Sequence, residues 1–346
     1  MLKILDKTSY QNLLQEFSDY HYIQSEEHNY QQIMYGNCHY VDFYDGRKHP
    51  VILFKFATTK FLKNHKFALG SFGPIINTDK VSRNTLSRFF DELSIVLKKQ
   101  NIAFIQLFPV SVCYDNQKII NLINDSHPRL EKSFHKYTWI DGTMVVDLNV
   151  DLEQMFKSFR KDVKYNIKRA ERDNIVKTTI HEKASNEIIN KFFELYDKQQ
   201  ERKDFNDRAT EFYRDLFENN KVILFEASYN SKMVSAIMAV KFEAQKSLIT
   251  YISASTQEGF KTKAPTLLRW ELIKWAKNNG FEKVDFFSLD KNTPSVSNFK
   301  RGFRPKEIEY MENAYNLVID SKIYKLYKIF FSIRKLTKNI IPINSK

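Results

Sequence analysis

Apolar and polar positions follow one order along this chain, and that order occurs twice. In the first half, a helical spacing over 9–17 precedes strand-like runs over 33–44, 50–57 and 66–72, the last ending at Gly73-Pro74. Ser87, Phe90, Leu93, Val96 and Leu97 then recur at helical spacing, and the continuous apolar run over 102–108 reads as a buried strand. In the second half a helix over 186–200 leads to a hairpin around Tyr229 and Lys232, an apolar strand over 248–254, a helix opened by Pro265 and closed by Gly280, and a strand over 283–289. Hairpins followed by strand, helix and strand in both halves argue for an α/β (α+β) chain made of two copies of one unit. The argument rests on element order, because no sequence identity between the halves is visible. The seam falls near Asp141-Gly142, which gives domains over 1–143 and 144–315.

The order in the second half is that of the N-acetyltransferase fold, completed by the segment Ser295-Val-Ser-Asn-Phe-Lys-Arg-Gly-Phe303. Acetyltransferases place a glycine-rich turn between that strand and helix, so that backbone N–H groups grip a pyrophosphate. Here the connection is Ser255-Thr-Gln-Glu-Gly-Phe-Lys-Thr-Lys263. One glycine and an acidic neighbour make a poor cradle, so the activated acyl group is expected on a carrier other than coenzyme A.

Charge adds a second theme. The chain has 54 basic and 41 acidic residues, a formal charge of +13, which fits a polyanionic partner or the lysine-rich composition of an AT-rich genome. The basic residues concentrate in a helix predicted over 151–172, in which Phe156, Phe159, Val163, Ile167 and Ala170 form an apolar stripe. Lys157, Arg160, Lys161, Lys164, Lys168, Arg169 and Arg172 lie opposite, as a solvated face or as contacts to a phosphate backbone. A second basic amphipathic helix follows residue 316. Ile323, Leu326, Ile329, Phe330, Ile333 and Leu336 share one face, and Lys322, Lys325, Lys328, Lys335 and Lys338 are spaced around it. It can dock on the first domain, lie on an anionic membrane surface, or do both.

Composition narrows the setting. With 42% apolar and 14% aromatic residues the chain can fill two cores. Two cysteines, Cys38 and Cys113, a polar start and no long apolar run lead us to expect a cytoplasmic protein, at most touching the inner face of the cell membrane. No GxSxG, HExxH, P-loop or Cys/His cluster occurs, so neither a metal nor a cofactor is expected. His21 and His28 read as surface or core residues, and Tyr165, Tyr196 and Trp270 as packing residues within helices.

Several segments together resemble the FemABX non-ribosomal peptidyl transferases. They are Phe159-Arg-Lys-Asp-Val-Lys-Tyr-Asn-Ile-Lys-Arg-Ala-Glu-Arg172 leading into a strand over 175–180, Glu201-Arg-Lys-Asp-Phe-Asn-Asp-Arg-Ala-Thr-Glu-Phe-Tyr213, Tyr251-Ile-Ser-Ala-Ser255, Ala264-Pro-Thr-Leu-Leu-Arg-Trp270 and Asn298-Phe-Lys-Arg-Gly-Phe303. Weaker echoes are Ile23-Gln-Ser25 and Phe72-Gly-Pro74. The resemblance implies two tandem acetyltransferase-like (GNAT-type) domains with a groove between them, and a last segment, 316–346, that returns to the first domain. No coiled-coil insertion follows Arg208, as in compact members. By resemblance, the donor is aminoacyl-tRNA and the acceptor a lipid-linked peptidoglycan precursor. Phe299 and Lys300 would line the transfer site, Arg208 with Phe212 or Tyr213 would hold the precursor's phosphates, and Tyr251 would sit beside them. Arg160, Lys161, Lys164, Lys168 and Arg169 would meet the tRNA. The chain departs from the family at Gln31 and Gln32, at Phe108-Pro109 and at Phe212, each time losing a polar or charged contact from the implied precursor site.

Attack of a neutral amine on an activated ester needs no covalent enzyme intermediate, only orientation and oxyanion stabilisation. Lys300 could supply positive charge there or to the tRNA end, or it could simply neutralise a helix C-terminus before Gly302. Two other classes stay open: an acyl-CoA-dependent N-acyltransferase acting on an envelope polysaccharide or other amine, and a binder that kept the fold without the chemistry.

Overall fold

The alternating runs pair into two sheets. The computed structural model describes residues 1–25, 37–62, 64–111, 116–133, 141–219 except 204–209, 221–289, 291, 294–310 and 314–340. The chain divides into one unit of Met1–Trp139 with Tyr310–Lys346 and a second unit of Ile140–Glu309.

The first unit contains β1 (Leu2–Leu5), α1 (Lys7–Leu14), β2 (Cys38–Phe43), β3 (Ile52–Leu62), β4 (His65–Gly70), β5 (Ile75–Ile76), α2 (Arg83–Lys99), β6 (Ile102–Leu107), α3 (Gln117–Ile123) and β7 (Leu130–Lys132). Its sheet runs β1-β2-β3-β4-β6 and continues through β15 (Tyr315–Val318) to β7, with β5 on β3. Among the described strands of this sheet only β4 and β6 pair in parallel, and α2 makes the crossover between them. Ser82 caps α2 by accepting from the Thr85 N–H, and Leu86, Phe89, Phe90, Leu93 and Leu97 bury one face against the sheet. The two weak echoes meet here. The Gln24 side chain bonds the Lys55 N–H at 3.1 Å, the Lys55 carbonyl at 3.0 Å and the Ser71 carbonyl at 2.7 Å, lying where a side chain at Gly73 would have to stand. Gln31, Gln32, His28 and Cys113 lie outside the described residues.

The second unit repeats the parallel pair. It contains β8 (Gly142–Asp147), α4 (Leu152–Ser158), α5 (Lys161–Asp173), β9 (Lys177–His181), α6 (Asn186–Lys203), α7 (Thr210–Glu218), β10 (Val222–Tyr229), β11 (Lys232–Phe242), β12 (Ser247–Ser255), α8 (Gln257–Lys261), α9 (Ala264–Asn278), β13 (Lys283–Asp285), α10 (Pro294–Arg301) and β14 (Lys306–Glu309). Its sheet runs β14-β8-β13-β12-β11-β10-β9. β12 and β13 are its parallel pair, joined through α9. The β10–β11 hairpin turns at Asn230 and Ser231, both at positive φ, as a two-residue turn matching strand twist requires.

Three expectations need correction. The basic segment 151–172 is two helices, not one. Phe159 and Arg160 take extended ψ values of 152° and 146°, and the Arg160 N–H donates to the Gly302 carbonyl at 2.9 Å instead of continuing a helix. The break turns Phe159 into the core, its ring 5.4 Å from Trp270 and 5.3 Å from Phe303. The strand expected over 283–289 ends at Asp285, whose carboxylate accepts from the Phe287 N–H at 2.7 Å and bends the chain so that Phe287 takes a φ of 50°. Finally, α11 (Ser321–Ile340) docks on the first unit through a face other than the one its aliphatic residues define. Tyr324 and Tyr327 set their rings 5.0 and 4.7 Å from Phe104, which itself stacks on Phe67, and the Tyr324 hydroxyl accepts from Asn316. Tyrosines suit this seat because the ring buries area while the hydroxyl keeps a partner.

Candidate active site

The short strand β13 creates the site. β12 pairs β13 only from Ser247 to Ile249, while β12 itself runs on to Ser255. At its far end the Gln199 side chain donates to the Ser253 carbonyl at 2.9 Å and accepts from the Ser255 N–H at 3.1 Å, and Arg202 donates to the Ser255 carbonyl at 2.9 Å. Side chains of α6 thus take the place of a neighbouring strand, leaving a splayed corner between β12 and the turn after β13.

That turn is an arch over a buried carboxylate. Thr143 and the Phe287 N–H both donate to Asp285, and burial pushes the Asp285 carboxyl above the usual carboxylate range, against the pull of those bonds and of Lys300. Lys300, 5% exposed, points into the arch from α10. Its ammonium donates to the Phe287 carbonyl at 3.0 Å, the Ser288 carbonyl at 2.8 Å and the Ser288 hydroxyl at 3.1 Å. Although Lys300 sits in the last turn of α10, it serves these outside carbonyls. Tyr251 stacks on Phe287 at 4.9 Å and 21°, and Phe212 and Tyr213 of α7 set their edges 5.8 and 5.9 Å from Tyr251.

Of the residues singled out from sequence, Lys300, Tyr251, Phe212 and Tyr213 therefore converge on one structure, and Phe287 joins them. Phe287 and Asp285 were missed. The available signal was an aspartate inside an apolar strand run, a residue able to bond a backbone N–H two positions on. Phe299 faces the other way, 5.7 Å from Phe303 and 5.6 Å above the Arg269 guanidinium. Arg269 is buried with no carboxylate partner among the described residues, its Nε is unbonded there, and burial holds it down to about 10. Arg208 lies outside the described residues.

The cationic helix has two populations. Arg160 bonds Asp162 through Nε at 2.6 Å and a terminal nitrogen at 2.8 Å, and reaches the Asn298 carbonyl at 3.2 Å and its side-chain oxygen at 3.1 Å, tying α5 to α10. Lys164 donates to the Lys157 carbonyl at 2.8 Å, and Arg169 and Arg172 share Asp173. Lys161 and Lys168 are exposed. Tyr165, expected to pack, is instead 60% exposed among them; at a spacing of four from both Lys161 and Arg169 it lies on the cationic face. Tyr196 and Trp270 are buried, as expected.

The connection from β12 to α9 shows where its amides are committed. Thr256 caps α8, its hydroxyl accepting from the Gly259 N–H at 3.0 Å. The N–H groups of Thr256, Phe260, Thr262 and Lys263 donate to the carbonyls of Val234, Thr256, Glu258 and Phe260. Those of Thr266 and Leu267 both reach the Lys263 carbonyl at 3.1 Å, and Pro265 between them has no N–H. Most of the amides an acetyltransferase would offer a diphosphate are thus bonded to the neighbouring strand or within helical turns. Gly259 permits that turn, because a Cβ there would lie 2.4 Å from the Val234 carbonyl oxygen. Gly259→Ala is expected to cost about 1–3 kcal/mol of stability through overpacking, measurable as a lower denaturant midpoint. An unchanged midpoint would show that α8 shifts freely.

The sequence model of the FemAB family matches residues 5–236. No curated relative matches the chain significantly. Among solved structures, FemX is similar over 94% of this chain and 99% of its own, at 12% identity and a TM-score of 0.76. A tandem GNAT protein from the clavulanic acid biosynthesis pathway covers 92% and 98% at 9% identity and a TM-score of 0.57. L-PGS from Bacillus licheniformis covers 92% and 93% at 13% identity and a TM-score of 0.52. At these identities the likeness establishes the fold: two acetyltransferase-like domains in tandem.

Proposed function

Since this chain belongs to the FemAB family of cell-wall aminoacyltransferases, we propose that it takes the aminoacyl group from a charged tRNA and transfers it to an amine on the stem peptide of a lipid-linked peptidoglycan precursor. The observation that carries the donor half is the β12-to-α9 connection, most of whose amides are bonded to the neighbouring strand or within a helical turn carrying Glu258. A donor not held by its diphosphate can be held by cations along its phosphate chain. The exposed Lys161, Lys168 and Arg169, with Tyr165 among them, supply such contacts and one ring on which an unpaired base could stack.

In this reading the corner formed by Tyr251, Phe287, Phe212 and Tyr213 orients the reacting groups, and Phe299 lines the far side of α10. The amine attacks the ester carbonyl, the tRNA ribose hydroxyl leaves, and one proton passes from amine to leaving oxygen. No enzyme-bound intermediate is needed. The Lys300 ammonium, beneath the arch, adds positive charge to a corner largely shielded from water.

The test is transfer itself. Purified protein, a panel of charged tRNAs and lipid-linked muropeptide should yield a lengthened stem peptide by mass spectrometry, and acetyl-CoA should not substitute. Reversing Lys161, Lys168 and Arg169 to Glu should raise KM for tRNA at least tenfold and flatten its salt dependence, since each phosphate contact contributes to the slope. Transfer from no charged tRNA, together with micromolar binding of acetyl-CoA, would favour the acyl-CoA-dependent alternative.

A further inference from the structure

Helix α11 carries two apolar stripes. One seats Tyr324 and Tyr327 on Phe104. The other is open: Leu326, Ile329 and Phe330 are 50%, 57% and 55% exposed, and Ile333 is 55% exposed. At 3.6 residues per turn these four fall within a sector of roughly 100°, centred about 140° away from the docked tyrosines. Phe61 of β3 continues the patch onto the sheet, its ring 5.8 Å from Phe330. Single exposed aliphatic residues are ordinary, but a contiguous stripe on one helix marks a contact surface.

Charge selects the occupant. The helix over 321–340 has six cations, Lys322, Lys325, Lys328, Arg334, Lys335 and Lys338, and no acidic residue. Lys322, in line with the stripe one turn before Leu326, and Lys325, at its margin, are exposed and have no carboxylate partner among the described residues, whereas Lys328 is turned to Glu131 at 3.3 Å. A second copy of the helix would bring like charges together. An interface of lipid phosphates over acyl chains matches both features.

We infer that α11 is a membrane-surface anchor: Leu326, Ile329 and Phe330 enter the headgroup–acyl boundary of an anionic phospholipid layer, and Lys322 and Lys325 meet its phosphates. No helix among the described residues is long and apolar enough to cross a membrane, so the helix lies in the surface. The inference stands on the helix alone. It would also bring the enzyme to the layer in which a lipid-linked acceptor is carried.

Vesicle co-sedimentation of the full chain tests it, with phosphatidylglycerol–phosphatidylcholine vesicles compared with phosphatidylcholine alone and no cell-wall precursor present. The chain is expected to bind the anionic vesicles at least tenfold more tightly, with binding that falls as salt rises. I329E/F330E, on an exposed face, should keep the wild-type thermal midpoint and lose at least tenfold in binding. K322Q/K325Q should lose about fivefold for each charge removed. Equal vesicle binding by wild type and I329E/F330E overturns the anchor. So does a chain that ignores vesicles yet forms a dimer that I329E/F330E dissociates, which would assign the stripe to a second copy. Because the vesicles contain no acceptor, failure here leaves the transfer reaction untouched.

Discussion

Lys300→Met is expected to lower kcat for the proposed aminoacyl transfer by about 10²-fold, the scale of misplacing reacting groups by about an ångström. The geometry makes a specific claim about how. An ammonium has three donors, and all three are engaged, on the Phe287 carbonyl, the Ser288 carbonyl and the Ser288 hydroxyl. In the proposed reaction Lys300 would therefore act through the arch it holds and through its charge, as a positioning residue, with no donor left over for the oxyanion. Its loss would remove a bond from the buried Phe287 carbonyl and two from the half-buried Ser288, and would leave Lys283 as the cation acting on Asp285, at a cost of roughly 1–3 kcal/mol in stability. Activity must accordingly be compared at a temperature where circular dichroism shows both proteins folded. The discriminating measurement is a cycle with Phe287→Ala. If Lys300 works through the arch, the double variant should be little worse than the poorer single variant. Strict additivity would mean that the ammonium reaches the reactants independently of Phe287, and a folded Lys300→Met within threefold of wild type would reduce Lys300 to a structural role.

What could be read from the sequence divides along a physical line. Features fixed by local periodicity were legible: the strand runs apart from the far end of 283–289, α2 with Leu93 and Leu97 inward, α9 between Pro265 and Gly280, and the doubled strand–helix–strand order that gives two acetyltransferase-like domains. Features fixed by a partner distant in sequence were not. Nothing near Arg160 announces that Gly302 will take its N–H and split the basic helix in two. Nothing in α11 says that Tyr324 and Tyr327, rather than its aliphatic residues, will find Phe104. At the candidate site the same division holds. Lys300, Tyr251, Phe212 and Tyr213 came from resemblance, and the fold places them together. Phe287, which links them, was missed because its place depends on the bond its N–H donates to Asp285, for which the aspartate in an apolar run was the one local signal.

His21 should make the first unit sensitive to mild acid. Its ring is 4% exposed and stacked on Phe72 at 3.8 Å, and its Nδ1 accepts from the Ile23 N–H at 3.2 Å, which fixes the neutral form with the proton on Nε2. Burial holds its pKa down to about 3, against 6.5 when exposed. The folded value is the lower one, so between the two the unfolded chain binds more protons. The stabilisation is then complete above pH ~6.5 and is lost progressively as pH falls towards the folded value. From pH 6.5 to 5 the loss attributable to this one ring is about 1.5–2 kcal/mol. Denaturant midpoints measured across that window should fall in the wild type. His21→Asn keeps an acceptor for the Ile23 N–H but has no proton to gain, so it should start from lower stability and fall less. Parallel slopes for the two proteins would show that the imidazole is protonated in the folded state and reaches water or a counter-charge. A flatter slope in the variant would identify this buried histidine as a principal origin of acid sensitivity above pH 5.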